Sequence, residues 1–269
     1  MSATRYALHV GLRGASPAAG TPGHPPVLLL PAFPLHVGMW VSLEGELAAR
    51  GITAHGFDYP GFGTTPLWAD VEPSLDAIAD AAVATLRGGI GARSAHWVGC
   101  SMGGYVALAI AERHPEAVAG LGLLDTRSAA DDDAKRAARL DAARSIEREG
   151  TFPNPRAAAV GLVGLEGPGR DGIVDEVAAI IGATAPAAAA WGQRAMAARP
   201  DRTAVLEGFQ GPSMVAWGDK DDVTTLEDAD RMARALGIET TVIVGVGHLS
   251  PVEAPAAVAA AVETLFARA

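Results

Sequence analysis

The sequence predicts an α/β fold in which a mostly parallel central sheet is flanked by helices and carries an inserted helical cap. Short apolar runs alternate along the chain with segments of helical spacing, which is typical of a parallel sheet covered on both faces. One interval, residues 126–199, contains helical segments but no convincing strand, and it predicts the cap. The sequence Gly-x-Ser-x-Gly at residues 99–103 lies between an apolar run and a helical pattern, as a sharp strand-to-helix turn requires.

The first 125 residues supply five predicted strands and three predicted helices. Residues 27–30, Val-Leu-Leu-Leu, form the continuous apolar run of a strand that is buried on both faces. Loosely alternating residues 5–12 predict an edge strand, and residues 14–26, rich in Gly, Pro and Ala, predict a loop. The other strands are predicted at residues 52–57, 95–100 and 118–124, and the helices at 38–50, 73–87 and 102–114.

The inserted interval contains helical candidates that are separated by Pro and Gly, at residues 131–149, 157–165, 175–181 and 186–198. It is several times longer than a normal connection between strands, which favours a separate cap over ordinary crossover helices. The sheet pattern then resumes, with strands at 213–217 and 240–244 and helices at 226–236 and 255–267. The predicted domains are an α/β core, residues 1–125 and 200–269, and a helical cap, residues 126–199.

Composition excludes several classes of protein. Apolar residues make up 49% of the 269, enough for a sizeable core, which excludes global disorder. The net charge of −10 argues against a nucleic-acid partner, because such partners require a basic surface. The single cysteine, Cys100, permits no intramolecular disulfide, and we expect it to be a small core residue. Residues 1–26 lack the apolar run of a secretion signal, and no stretch could span a bilayer, so we expect a cytoplasmic protein with no membrane partner.

Ser101, at the centre of the Gly-rich turn, is the candidate nucleophile. A serine hydroxyl attacks poorly until a base removes its proton, and the base needs a third group to hold its tautomer. In this architecture the order along the chain is serine, acid, histidine, and only His114 and His248 follow the serine. His114 closes the helix that begins at the serine and points away from it. His248 follows a strand at the carboxyl edge of the sheet, where sites form, and is the candidate base.

The acid is expected at the end of a strand between the serine and the histidine. Asp219, Asp221 and Asp222 follow the strand at 213–217. Three adjacent carboxylates usually mark a solvated turn, so two of them are expected to be ordinary surface residues. Asp125, at the end of the preceding strand, is the alternative acid, and the residues alone leave this choice open.

With these residues the chain resembles the α/β-hydrolase superfamily, in the helical-capped branch that includes 3-oxoadipate enol-lactonases and related carboxylesterases. The resemblance extends from Val27 to the C-terminal helix. The matching motifs are Pro34 with Met39-Trp40, Asp58 with Pro60-Gly61-Phe62-Gly63, residues 99–104, Gly218-Asp219-Lys220-Asp221, and Gly247-His248 with Glu253-Ala254-Pro255.

The resemblance implies a role for each residue of the site. Ser101 is the nucleophile, His248 the base, and Asp221, at the fourth position of the Gly-x-x-Asp turn, the orienting acid. The backbone amides of Phe33 and Met102 form the oxyanion hole. The chain has Pro31-Ala32 where the family has His-Gly, so the support of the oxyanion loop differs from the family pattern.

The predicted function is that of a serine hydrolase of the carboxylesterase or lactonase type, which cleaves a small ester or lactone without a cofactor or a metal. Trp40, Trp191 and Leu249 are the candidates for contact with the substrate. The same triad could instead support acyl transfer, cofactor-free haloperoxidase chemistry or carbon–carbon bond hydrolysis. A third possibility is a ligand-binding receptor that retains the fold and the triad.

Overall fold

The chain folds around a seven-stranded sheet in the part that the computed structural model describes, which is residues 8–11, 25–152 and 154–266. The strand order is β1-β3-β2-β4-β5-β6-β7; β1 pairs antiparallel with β3, and every other pairing is parallel. The strands are β1 (Val10–Gly11), β2 (Val27–Leu30), β3 (Ala54–Phe57), β4 (Ala95–Cys100), β5 (Val118–Leu124), β6 (Ser213–Gly218) and β7 (Thr240–Ile243). The predicted fold class is therefore confirmed.

Alternation along each strand divides the core between the two faces of the sheet. In β2, Leu28 and Leu30 belong to the apolar cluster on one face, whereas Val27 and Leu29 belong to the cluster on the other. Successive side chains of a strand point to opposite faces, and in this strand all four are fully buried. Helices must therefore cover both faces, as the continuous apolar run predicts.

The described residues form eleven α-helices, and five of these begin and end within two residues of the predicted positions. Ser74 caps α2 by accepting a hydrogen bond from the amide of Ala77, and Gly150 and Gly237 end α4 and α9 in the left-handed conformation. The helices are α1 (Val41–Ala49), α2 (Leu75–Thr85), α3 (Met102–Arg113), α4 (Asp133–Glu149), α5 (Pro155–Val160), α6 (Arg170–Gly182), α7 (Pro186–Ala197), α8 (Thr203–Gly208), α9 (Leu226–Leu236), α10 (Ser250–Glu253) and α11 (Pro255–Glu263).

A few boundaries differ from the sequence prediction. Helix α5 ends at Val160 instead of continuing to residue 165, and α6 begins at Arg170, several residues earlier than expected. The short helices α8 and α10 carry no clear periodic signal and were not predicted. Of the predicted edge strand and loop at the N-terminus, residues 5–7 and 12–24 lie outside the described residues, as does residue 267 of the last helix.

The helices of the predicted cap, between β5 and β6, form two pairs in close contact, α4 with α7 and α5 with α6. Each pair shares one of the apolar clusters. Ala143 and Ile146 of α4 pack with Ala189 and Ala190 of α7, whereas Val174 and the rest of the buried side of α6 join the cluster on one face of the sheet. None of the described helices alone is long and apolar enough to cross a membrane, although α6 and α7, bent by 95° at their junction, together meet the length and composition criteria.

Buried polar contacts join the two ends of this insertion to each other. Near its start, Ser128 accepts a hydrogen bond from the amide of Arg202 (2.9 Å) through its carbonyl oxygen. Arg199, near its end, makes two hydrogen bonds with the carboxylate of Asp131, at 2.7 and 2.8 Å, and both side chains are 2% exposed. Burial alone raises the pKa of Asp131, but Arg199 and Arg139 lower it to about 2. The chain thus leaves the core and returns to it at neighbouring positions, which these contacts hold together.

We expect Arg199→Met to destabilise the protein by about 3 kcal/mol at pH 7, because it leaves the buried charge of Asp131 with a weaker set of partners. The depressed pKa of Asp131 means that this ion pair stabilises the folded state at neutral pH and loses its effect as the pH falls toward the folded pKa of about 2. Urea unfolding measures the change. Arg194→Met, which breaks the more exposed pair with Glu147, is the matched control and should cost less than about 1 kcal/mol. Equal costs for the two variants would contradict this account.

Candidate active site

Ser101 occupies the sharp turn between β4 and α3, with φ 53° and ψ −114°. A positive φ is uncommon for a residue with a side chain, and the surroundings must hold it in place. The Ser101 amide donates to the carbonyl of Leu124 (2.9 Å), and the Thr126 hydroxyl donates to the Ser101 carbonyl (2.7 Å). These two bonds attach the turn to the end of β5.

The glycines around Ser101 are required by close packing. A Cβ at Gly99 would collide with the backbone of Gly103, and a Cβ at Gly103 would collide with the carbonyl of Leu30 in β2. A Cβ at Gly104 would collide with the side chain of Thr126. The chain can therefore fold back on itself and place α3 against the sheet only because these positions have no side chain.

A chain of hydrogen bonds connects Ser101 to His248 and Asp221. The Ser101 Oγ lies 2.8 Å from Nε2 of His248, and the Nδ1 of His248 lies 2.9 Å from Oδ2 of Asp221. All three residues are buried, with exposures of 9%, 2% and 8% in the order serine, histidine, aspartate. His114, the other histidine after the serine, instead bonds Asp80 through Nε2 (2.7 Å). The structure thus brings together the three residues that the family resemblance implies.

The turn after β6 holds the Asp221 carboxylate as an acceptor. Its Oδ1 accepts from the amides of Val223 (2.7 Å) and Thr224 (3.1 Å), and its Oδ2 accepts from the Thr224 hydroxyl and faces His248. Burial alone raises the pKa of Asp221, but the hydrogen bonds from His248, Thr224 and Val223 lower it below its usual value. Asp221 is therefore charged at neutral pH and can keep the proton of His248 on Nδ1, leaving Nε2 free to accept one.

Asp125, the alternative acid, has a different set of partners. It is fully buried, and its carboxylate accepts from the Gly218 amide (2.9 Å) and from the hydroxyl (2.6 Å) and amide (3.1 Å) of Ser250. Burial raises its pKa to about 7. No hydrogen bond links it to His248 among the described residues. Asp125 therefore fixes the ends of β5 and β6 to α10, and it orients the backbone beside His248 instead of its ring.

The two other carboxylates of the turn after β6 and the cysteine next to the serine do not enter the hydrogen-bonded chain. Asp219 accepts from the amide of Gly245 (2.6 Å), and Asp222 is exposed. Cys100 is fully buried and its thiol lies 3.6 Å from the carbonyl oxygen of His248. Burial raises the pKa of this thiol well above its usual range, so it stays protonated, in keeping with a core residue.

The amides of Phe33 and Met102 emerge at the same edge of the sheet. Met102 is the first residue of α3, where an amide has no partner within the helix, and Phe33 lies in the turn that follows β2. Strands β2 and β4 are neighbours, with Leu30 paired to Gly99, so the two turns lie side by side. Both amides are therefore suitably located for an oxyanion hole.

Two hydroxyl groups support the turn of Phe33 where this chain departs from the family pattern. Tyr59 Oη donates to the carbonyl of Pro31 (3.1 Å), and Thr184 Oγ1 donates to the carbonyl of Pro34 (2.9 Å). The Tyr59 side chain is fully buried, and burial raises its pKa well above its usual value, so it remains a donor. Sequence reasoning missed both residues, because they are distant from Phe33 in the chain and neither is one of the matched motif positions, although Tyr59 lies between Asp58 and Pro60.

The three predicted substrate contacts are buried side chains in this structure. Trp40 and Leu249 have no exposed surface and belong to the core cluster behind β2, so neither lines an open pocket. Trp191 is 7% exposed, and its ring meets that of Trp68 edge-on, with 6.1 Å between centroids. Its Nε1 donates to the carbonyl of Val71 (3.3 Å), so this side chain ties α7 to the core. Long apolar side chains at helical spacing are core residues more often than binding residues.

Half-buried aromatic rings lie beside the turn of Phe33 instead. The Phe33 ring meets Phe62 at 6.2 Å and Phe152 at 6.4 Å between centroids, both edge-on. Phe33 and Phe152 pack against the small apolar cluster between α4 and α7. No periodic signal could have identified Phe152, because it lies in the loop between α4 and α5. Within the described part of the chain, no group of three or more His, Cys, Asp or Glu side chains is arranged to hold a metal ion.

Known proteins resemble this chain in sequence and in structure. Residues 27–261 match the sequence profile of the alpha/beta hydrolase family. The structure is similar to that of a thermophilic esterase from Thermogutta terrifontis, with 28% identity and a TM-score of 0.83 over 91% of this chain and 90% of the esterase. It is also similar to that of the enol-lactonase from Burkholderia xenovorans LB400, with 19% identity and a TM-score of 0.80 over 97% and 96% of the two chains.

Curated relatives match over a shorter stretch. A pimeloyl-[acyl-carrier protein] methyl ester esterase from Methylococcus capsulatus is 38% identical over 100 residues, which are 37% of this chain and 36% of the relative. The same enzyme from Aeromonas hydrophila is 36% identical over 92 residues, 34% of each protein. The matched stretch thus spans only about a third of the length of these relatives.

We expect Asp221→Asn to slow the labelling of Ser101 by an alkyl phosphonate by about 10⁴-fold, because an amide cannot hold His248 in the tautomer that accepts the serine proton. The rate of mass increase on Ser101 measures this. Asp222→Asn is the matched control on the same turn and should leave the rate nearly unchanged. If Asp125→Asn were the variant that abolishes labelling, Asp125 would be the acid and the role of Asp221 would be refuted.

Proposed function

The chain belongs to the alpha/beta hydrolase family, and we propose that it is a serine hydrolase that cleaves a carboxylic ester or lactone through an acyl-enzyme on Ser101. The observation that carries the proposal is the hydrogen-bonded chain from Ser101 Oγ through His248 to Asp221, with distances of 2.8 and 2.9 Å. A serine held at a strained turn beside such a base is suited to nucleophilic attack on an acyl carbon.

The first half-reaction forms the acyl-enzyme. Ser101 Oγ attacks the carbonyl carbon while His248 Nε2 takes its proton, and the amides of Phe33 and Met102 stabilise the negative oxygen of the tetrahedral intermediate. The C–O bond to the leaving alcohol then breaks, and His248 returns the proton to the departing oxygen. For a lactone, the alcohol and the acyl group remain parts of one molecule.

The second half-reaction releases the acid. His248 removes a proton from water, which attacks the acyl carbon and forms a second tetrahedral intermediate in the same oxyanion hole. Collapse of the intermediate breaks the bond to Ser101 Oγ, which regains its proton from His248. The charged Asp221 stabilises the imidazolium ion that forms in each half-reaction.

The names of the relatives support an ester over the other chemistries that this triad can perform. The curated relatives are methyl ester esterases, and the structural neighbour with 28% identity is an esterase. A lactone stays within the proposal because a cyclic ester presents the same acyl carbon and the same leaving oxygen. The proposal therefore specifies the bond that is cleaved, the acyl C–O bond of an ester or lactone.

The apolar cluster beside Phe33 favours a substrate with an apolar acyl group. This cluster contains only aromatic and aliphatic side chains, and Phe33 and Phe152 are its half-buried members. A Cβ at Gly192 of α7 would lie 2.9 Å from the Phe33 ring, so α7 rests directly on the turn that carries one oxyanion amide. We propose that the insertion acts as a cap whose pair α4 and α7 forms the wall of the acyl pocket. Apolar side chains favour an uncharged acyl chain, since a carboxylate buried there would have no partner.

The test of the proposed function compares the protein with its Ser101→Ala variant on a panel of small esters and lactones. We expect the variant to lose nearly all turnover, because it lacks the nucleophile, while its unfolding midpoint changes little. A phosphonate should add one label to the protein, on Ser101. Turnover by the alanine variant, or a label on another residue, would refute the serine mechanism. Transfer of the acyl group to an added alcohol, with no free acid formed, would instead make the enzyme an acyltransferase.

We expect Phe152→Ala to raise kcat/KM for long acyl chains, relative to acetyl esters, by about tenfold, because it removes a ring from the proposed acyl pocket. Initial rates on esters of one alcohol with increasing acyl length measure the ratio. Phe209→Ala removes the same atoms from a half-buried ring between α8 and β6 and should leave the ratio unchanged. If Trp191→Ala changed the ratio and Phe152→Ala did not, the acyl pocket would lie on the Trp68 side of α7.

A further inference from the structure

A buried carboxylate holds the loop of His248 from both sides. Glu253, in α10, accepts from the Gly247 amide at 3.0 and 3.1 Å and from the Leu249 amide at 3.4 Å, so its two donor residues lie on either side of His248 in the sequence. Glu253 is 9% exposed. The proposed mechanism assigns no part to this carboxylate.

The same carboxylate also binds the inserted segment after α5. Glu253 Oε2 accepts from the Leu165 amide at 2.7 Å, the shortest of its hydrogen bonds. The described residues that bond it are all amide donors, and it makes no ion pair with any of them. Glu253 therefore joins two stretches of backbone, one from the insertion and one from the loop of His248, through a single acceptor group.

The two stretches are also in direct contact. The His248 amide donates to the carbonyl of Leu162 (3.0 Å). A Cβ at Gly164 would lie 2.6 Å from the Gly247 nitrogen and 2.7 Å from its Cα, so the two glycines meet with no space for a side chain. The backbone of His248 is thus attached to the insertion on one side and to α10 on the other.

We propose that Glu253 is a positioning residue that locks the His248 loop to the inserted segment of residues 162–165, so that the imidazole reaches Ser101 only while this segment is docked. The inference rests on the proposed serine mechanism, in which His248 moves a proton in every step. It links the position of the insertion to the catalytic rate, beyond the role of the α4–α7 pair as a pocket wall.

The chemistry of the site explains why a carboxylate fits and an amide does not. A carboxylate only accepts hydrogen bonds, and the described residues that donate to Glu253 do so through backbone amides. In Glu253→Gln one oxygen becomes an NH₂ group, which must face at least one backbone N–H. The strain is relieved by movement of the loop, and a displacement of about 1 Å of a catalytic group can cost about 10²-fold in rate.

The experiment changes the contact between the His248 loop and residues 162–165 in two ways, at Glu253 and at Gly164. We expect Glu253→Gln to lower kcat by about 10- to 100-fold with little change in KM, and to slow phosphonate labelling of Ser101 by a similar factor per folded molecule. Gly164→Ala keeps the carboxylate but separates the insertion from Gly247, and should give the same pattern. The control is Gly161→Ala, directly before this segment, because a Cβ there meets its neighbours at an ordinary 3.6 Å. It should retain wild-type rates.

The kinetic readouts separate this role from a purely structural one. If Glu253→Gln lowered only the unfolding midpoint and left kcat and the labelling rate unchanged, the proposal would be overturned. If this variant failed to fold, Gly164→Ala would decide, and wild-type kcat in that variant would refute the lock. Absence of Ser101 labelling in the wild-type protein would refute the proposed function itself, which is a different outcome from normal labelling in both wild type and variants.

Discussion

The backbone at Ser101 is the constraint on which the site depends. A positive φ at a residue with a side chain is unfavourable, so it persists only where the surrounding structure holds it. Here β4, β5 and α3 do so together, since the turn is bonded to Leu124 and Thr126 and has space only because Gly99 and Gly103 lack a Cβ. This turn places the Ser101 hydroxyl 2.8 Å from Nε2 of His248.

Three buried carboxylates around the His248 loop share one environment and differ in their partners. Asp221 faces the imidazole ring and is kept charged by its donors. Asp125 accepts from Gly218 and Ser250 and has a pKa raised to about 7 by burial. Glu253 accepts hydrogen bonds from backbone amides, and burial raises its pKa as well. Burial acts in the same direction on all three, so the donors that each one meets decide which can orient a base and which can only hold backbone.

The insertion contributes to the site at more than one point. Helix α7 rests on the ring of Phe33, Thr184 supports the carbonyl of Pro34, and the segment after α5 contacts the His248 loop. The buried pair of Arg199 and Asp131 joins the two ends of the insertion to each other. The insertion is thus in contact with both the turn of Phe33 and the loop of His248.

The sequence by itself determined the fold class, the strands of the sheet and the identity of Ser101 and His248 as partners. Apolar runs and helical spacing are local signals, and the chain order serine, acid, histidine left a single suitable histidine. Only the tertiary structure decided between Asp125 and Asp221 on physical grounds, because the choice depends on which carboxylate meets the imidazole ring. It also placed Trp40 and Leu249 in the core and brought the carboxylate of Glu253 to Leu165. Contacts between residues far apart in the chain leave no periodic or motif signal, since each depends on how the packed helices and loops lie against the sheet.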